Sequence, residues 1–124
     1  MTKTYNVVVV EVGDNVEEEV VLLVAGTLVK CFVNYCPEGI VVGDSYEVEF
    51  SINFPDGDYV ILSGEEKAAV ESIGSGFSCF VYGYLDGSIF RSFIDFPDQE
   101  IHYEYPGLNE KYIKVKVERI NVSF

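Results

Sequence analysis

The chain reads as an all-β protein with one short helix, folded as a small antiparallel, OB-like, partly open β-barrel. A β-sandwich is the alternative architecture. Three observations carry this expectation. Residues 77–96, FSCFVYGYLDGSIFRSFIDF, form a hairpin pattern closed on Asp86-Gly87, the dipeptide that accepts φ > 0 at both centres of a type I′ turn. Residues 46–54 alternate strictly: Tyr46, Val48, Phe50, Ile52 and Phe54 point one way, Glu47, Glu49, Ser51 and Asn53 the other. Period two with one polar side marks a strand of an antiparallel sheet with one wet face. The one convincing helical window, Glu65–Ser72, falls between the third and fourth strands, where a small OB-type barrel carries a helix.

The elements follow in order. Thr4–Val12 is rich in β-branched residues, whose stiff χ1 suits a pleated strand, and Gly13-Asp14-Asn15 ends it. Residues 18–35 read as one long strand, with Gly26 as a bulge or bend that lets one segment serve two sheets. Cys36-Pro37-Glu38-Gly39 is a turn. After the strand at 46–54, the turn Pro55–Asp58 returns Tyr59–Leu62 as its hairpin partner. Ser63 and Glu66 fit a capping box for the helix, whose two turns are marginal alone. Gly74-Ser75-Gly76 releases the chain into the 77–96 hairpin.

With a two-residue loop at Asp86-Gly87, Tyr84 faces Ile89, Tyr82 faces Arg91 and Phe80 faces Phe93. One side (Phe77, Cys79, Val81, Gly83, Phe90, Ser92, Ile94, Phe96) is small or apolar and should meet the core. The other (Ser78, Phe80, Tyr82, Tyr84, Ile89, Arg91, Phe93, Asp95) is aromatic but carries charge, so it is expected to be either half covered or a contact surface. Residues 97–108 form a loop with two prolines and a short extended piece at Ile101–Tyr105. In the closing strand, Lys111–Phe124, the apolar phase slips at Glu118-Arg119. A one-residue slip would turn the core set outward, so a β-bulge belongs there.

A chain of 124 residues is expected to form a single domain spanning 1–124 and to bury roughly two-thirds of its unfolded surface. No apolar run approaches the ~20 residues of a membrane span, and MTKTYNVVVVEVGD does not read as a signal peptide, so a cytoplasmic location is expected. There are 21 acidic and 8 basic side chains, a net charge of −13. That balance opposes nucleic acid, whose binding rests on Lys and Arg, and favours solubility and fast encounter with a basic partner. Cys31, Cys36 and Cys79 form an odd set, expected as reduced, mostly buried thiols.

No catalytic set stands out. His102 is the only histidine, no Ser or Cys has nucleophile spacing, and Gly74-Ser75-Gly76 follows the helical window instead of opening one. The acids at Asp56/Asp58 and Asp95/Asp98 lack the dense oxygen-ligand pattern of a calcium loop. No metal or cofactor is expected. The remaining constellation interleaves acids and aromatics: Phe93, Asp95, Asp98, Glu100, Tyr103, Glu104 and Tyr105, with Tyr82 on the hairpin. Aromatics supply rigid contact area and carboxylates supply steering toward Lys and Arg. The expected function is a non-enzymatic, acidic protein-binding module. Its most concrete version is an inhibitor or immunity-type protein that covers the cationic cleft of a basic, nuclease-like toxin. The alternative is an OB-like ligand-binding or structural module using the aromatic hairpin face for a peptide or oligosaccharide.

Overall fold

The structure, a computed structural model, describes residues 4–13, 19–35, 39–55, 57, 59–74, 76–97 and 99–124. By contact density they divide into two compact units, Met1–Asn53 with Arg119–Phe124, and Phe54–Glu118.

The first unit is a closed five-stranded barrel of β1 (Tyr5–Val12), β2 (Glu19–Val24), β3 (Thr27–Tyr35), β4 (Ser45–Asn53) and a last strand, Arg119–Ser123. In spatial order the last strand stands between β3 and β4, and β4 returns to β1. The last strand runs parallel to β3, pairing Val122 with Val33, and antiparallel to β4, pairing Ile120 with Ile52. This is a small all-β barrel of the OB-like class, closed where the sequence suggested partial opening, with one parallel pair in an otherwise antiparallel wall. Val7, Val9, Val20, Leu22, Val29, Cys31, Val48, Ile120 and Val122 are each at most 1% exposed. Each such apolar side chain contributes about 1.5–3 kcal/mol by leaving water. The alternating strand appears as β4, with Val48 buried and Glu47, Glu49 and Ser51 exposed.

Gly26 is not a bend within one strand. β2 and β3 are separate strands of a hairpin, pairing Val24 with Thr27, and Ala25-Gly26 is its two-residue turn. Both turn residues have positive φ, 48° and 83°, as a type I′ turn requires. Gly26 accepts that conformation without strain; Ala25 does not.

The second unit comprises β5 (Val60–Leu62), β6 (Ala69–Ser72), β7 (Cys79–Asp86), β8 (Ile89–Arg91), β9 (Asp95–Pro97), α1 (Gln99–Glu104), a 3-10 turn (Pro106–Leu108) and β10 (Tyr112–Val117); the barrel's last strand is then β11. Its sheet runs β5-β10-β7-β8-β9. β7 is the central strand: β10 pairs along one edge, and β6 (residues 79–82) then β8 (residues 84–86) share the other. One face of this sheet is dry: Val81, Leu85, Phe90, Ile113, Val115 and Val117 are fully buried. The slip at Glu118 is where the chain leaves β10 and enters β11, so the phase change coincides with a change of sheet.

Three expectations are corrected here. Residues 65–72 are not helical. The Ser63 hydroxyl accepts the Glu65 N–H at 3.1 Å, closing a local turn, and Ala69–Ser72 then pairs with β7 as β6. A helix this short gains little alone, whereas the strand gains a ladder against Val81 and Tyr82. The helix instead lies at 99–104, where an extended piece was expected. There Ile101 is fully buried and Tyr105 half-buried, one turn apart on one face. Finally, β5 is not the hairpin partner of β4; it pairs with β10, Ile61 opposite Lys114.

Candidate binding surface

The hairpin register differs from expectation by one position on each strand. Asp86 pairs with Ile89, Leu85 with Phe90 and Tyr84 with Arg91, so Gly87-Ser88 forms the turn. Contacts from distant residues hold this frame: Gly87 N–H donates to Asn109 Oδ1 at 2.8 Å, and Glu110 N–H to the Leu85 carbonyl at 2.7 Å. Gly83 has a steric role here. A Cβ at this position would meet the Arg91 carbonyl oxygen and come within 2.9 Å of the Phe90 ring. The glycine lets β8 lie close on β7.

Neighbouring side chains limit what the hairpin presents. Tyr82, a candidate contact residue, is 6% exposed. Lys67 Nζ lies 4.2 Å from its ring centroid and its hydroxyl donates to Glu71 Oε2 at 3.5 Å. Phe93, another candidate, is 7% exposed and packs edge-on against Phe96 at 5.4 Å. Both are structural in this fold, not open contact residues. Asp95 is half-buried and accepts from Arg91 Nη1 at 3.1 Å, while Arg91 Nε donates to Asp86 Oδ2 at 2.8 Å. The Asp86 hydrogen bond and the Asp95 charge raise the Arg91 pKa. Asp95 is therefore already paired with a cation. Asp98 lies outside the described residues.

The other four candidates lie on or beside α1. Glu100, Tyr103 and Glu104, spaced i, i+3 and i+4, share one helix face, and all three are exposed. Tyr103 is 87% exposed. The helix is fixed through Ile101, Glu104 and Tyr105. Ile101 is buried, the Tyr59 hydroxyl donates to Glu104 Oε2 at 2.9 Å, and the Tyr59 N–H donates to the Tyr105 hydroxyl at 3.3 Å. The Tyr59 and Tyr105 rings meet edge-on at 5.5 Å, and Phe54 stacks on Tyr59 at 4.5 Å. Tyr105 is thus an anchor of the helix, and Glu104 is held in place yet open to solvent. His102 is half-buried, its Nδ1 without a hydrogen-bond partner among the described residues.

A second feature was not visible in the sequence. On the β7–β8–β10 surface a groove of about 400 Å³ is lined by Glu66, Lys67, Tyr84, Arg91, Ser92 and Tyr112. Tyr84 and Tyr112 are register partners whose rings meet at 5.2 Å. Only the correct hairpin register places Arg91 beside them. In the barrel, a smaller hollow of about 230 Å³ is lined by Glu11, Glu19 and Lys30, the last two joined at 2.8 Å.

Cys31 and Cys79 are buried and form no disulfide; Cys36 lies outside the described residues. Burial pushes the Cys79 thiol from 9.0 up to about 11. Among the described residues, no group of three or more His, Cys, Asp or Glu is placed to hold a metal ion. No helix among them is long and apolar enough to cross a membrane.

Fold and surface together define a small all-β barrel protein with an added sheet that carries an acidic, aromatic helix. The chain belongs to the family described as Uncharacterised conserved protein UCP019853, whose model matches residues 3–124. No curated protein and no solved structure matches it.

Proposed function

We propose that the protein is a non-enzymatic binding module that engages a basic protein through the outer face of α1, with an inhibitor or immunity-type protein acting on a basic toxin as the concrete form. The supporting observation is Tyr103, 87% exposed between exposed Glu100 and Glu104 on a helix anchored from behind. An anchored helix offers its aromatic and its carboxylates at low ordering cost, as a contact point must. The net charge of −13 supplies long-range attraction for a cationic partner.

The test is affinity capture from the native source at low salt, with wild type, Tyr103→Ala and Glu100→Lys as baits. All three baits should be equally folded, because the substituted side chains are exposed. The reading expects a protein of high isoelectric point that wild type retains and both variants lose. A partner retained equally by all three baits would overturn the assignment of α1.

A further inference from the structure

We infer that the outer wall of the barrel at β1, β2 and β3 is a second docking surface, independent of α1, and that its occupant is a basic amphipathic helix of a partner protein. A barrel strand points alternate residues inward and outward, and β4 follows the pattern with a polar outer set. β1 and β2 do not. Their apolar residues run unbroken at 7–10 and 20–24, the pattern of strands covered on both faces. The inner set, Val7, Val9, Val20, Leu22 and Val24, is buried. The outer set is open. Val8 stands opposite Leu23 and Leu23 opposite Leu28, an apolar row across three strands, with Leu28 60% exposed. The β1–β2 ladder shifts between Val9 and Glu11, so Val10 is the extra residue of a bulge, and it too is exposed.

The turn at residues 41–44 extends this patch. Gly43 N–H donates to the Val9 carbonyl at 2.7 Å and Val9 N–H to the Asp44 carbonyl at 3.0 Å, which fixes the turn to β1 beside the bulge. Val41 and Val42 in that turn are each 56% exposed. Five of the eight exposed large apolar side chains among the described residues therefore belong to one region of the barrel, a patch and not a scatter.

Topology and charge select the occupant. Each of β1, β2 and β3 has a partner strand on both sides in the closed barrel, so this wall offers no free edge for an added strand. Cover must come through side chains, as when a helix lays its apolar stripe on a sheet. The rim is acidic: Glu11, Asp44 and Glu47 are exposed and enter no ion pair among the described residues. Lys30 on β3 is already matched by Glu19 at 2.8 Å. These two line the hollow of about 230 Å³ with Val21 and Glu11, leaving the Glu11 carboxylate to receive a partner's Lys or Arg there. A second copy would bring the same acids and another −13 against them, and anionic lipid is repelled in the same way. An apolar stripe flanked by Lys and Arg matches both centre and rim.

The experiment is amide chemical-shift mapping and calorimetric titration of the purified full chain. The probe is a leucine–lysine peptide of helical amphipathic pattern. The comparators are oligolysine, a leucine–glutamate peptide of the same pattern, and phosphatidylglycerol vesicles. The leucine–lysine peptide should bind saturably and shift the amides of Leu23, Leu28, Val41 and Val42. The double variant Leu28→Asn/Val42→Asn should weaken it by at least about tenfold, and Glu11→Gln should reduce its salt dependence, while Tyr103→Ala changes neither. All these side chains are exposed, and circular dichroism verifies that each variant is folded. The inference is overturned by no saturable binding, by binding that survives the double variant, or by shifts confined to α1. It is equally overturned if oligolysine or the leucine–glutamate peptide binds as tightly, or if the vesicles bind more tightly.

Discussion

Replacing Gly83 by alanine tests the packing on which both the hairpin register and the groove depend. The added methyl would press on the Arg91 carbonyl oxygen and come within 2.9 Å of Phe90 Cε1 and 3.0 Å of the Arg91 carbonyl carbon. Two of these three atoms are backbone, which cannot move aside as a flexible side-chain tip can. The third belongs to Phe90, fully buried and stacked on Phe96 at 6.3 Å. Relief therefore requires β8 to shift away from β7. Overpacking of this kind costs about 1–3 kcal/mol, and the reduced freedom of the unfolded chain returns about 0.4–1 kcal/mol. The net expectation is a loss of roughly 1–2 kcal/mol, or a fall in Tm of roughly 3–10 °C for a chain of this size. Thermal and urea unfolding followed by circular dichroism measures it, with Gly64→Ala as the control, since nothing lies within 4 Å of a Cβ there. If Gly83→Ala matched or exceeded wild-type stability while Gly64→Ala behaved normally, the close approach of β8 to β7 would be refuted. The groove would lose its geometric basis with it.

Other outcomes follow from the same structure. Ala25→Gly should raise stability by about 0.5–1 kcal/mol in urea unfolding, because φ of 48° costs alanine what glycine does not incur. Ile101→Ala should cost about 2–4 kcal/mol as a cavity substitution and weaken partner binding, because α1 loses its buried anchor. Tyr103→Ala should change stability by less than about 0.5 kcal/mol, since the ring is exposed, and so separate binding from folding. Cys79 should resist alkylation in the folded protein near neutral pH and react on unfolding. The native state holds its thiol proton more tightly than the unfolded chain does. That contribution to stability is full below 9.0 and is lost as pH rises from 9.0 toward about 11. The urea midpoint should fall across that window, and Cys79→Ala should flatten the fall.

Elements whose information is local were legible in the sequence. β4 is visible because period two needs only its own residues, and β1 because four consecutive valines admit few other structures. The dry hairpin face was legible in part: Cys79, Val81 and Phe90 are buried as their phase indicated, whereas the chain bends at residues 92–94 and Phe96 is buried on a separate strand, β9, that pairs back on Phe90. Features set from a distance were not. The turn falls on Gly87-Ser88 because Asn109 and Glu110 reach it, more than twenty residues away in sequence. Ala25 occupies a turn position that alanine disfavours, so Gly26 alone looked like a bulge. The parallel β3–β11 pairing joins residues nearly ninety positions apart and leaves no local trace. Of the candidate contact residues, sequence pattern identified the exposed group at Glu100, Tyr103 and Glu104. It did not distinguish them from Tyr82 and Phe93, whose burial depends on Lys67, Glu71 and Phe96. Tyr112 was missed because only the sheet brings it to Tyr84.

The most direct measurement of the central claim is the association rate of the captured basic partner as a function of ionic strength, for wild type and Glu100→Lys side by side. Electrostatic steering through α1 predicts a wild-type rate that falls by at least about tenfold from low to physiological salt. It also predicts a slower Glu100→Lys rate at low salt that converges on wild type at high salt. A wild-type rate independent of salt, or identical curves for the two proteins, would contradict the claim that this acidic helix is the docking surface.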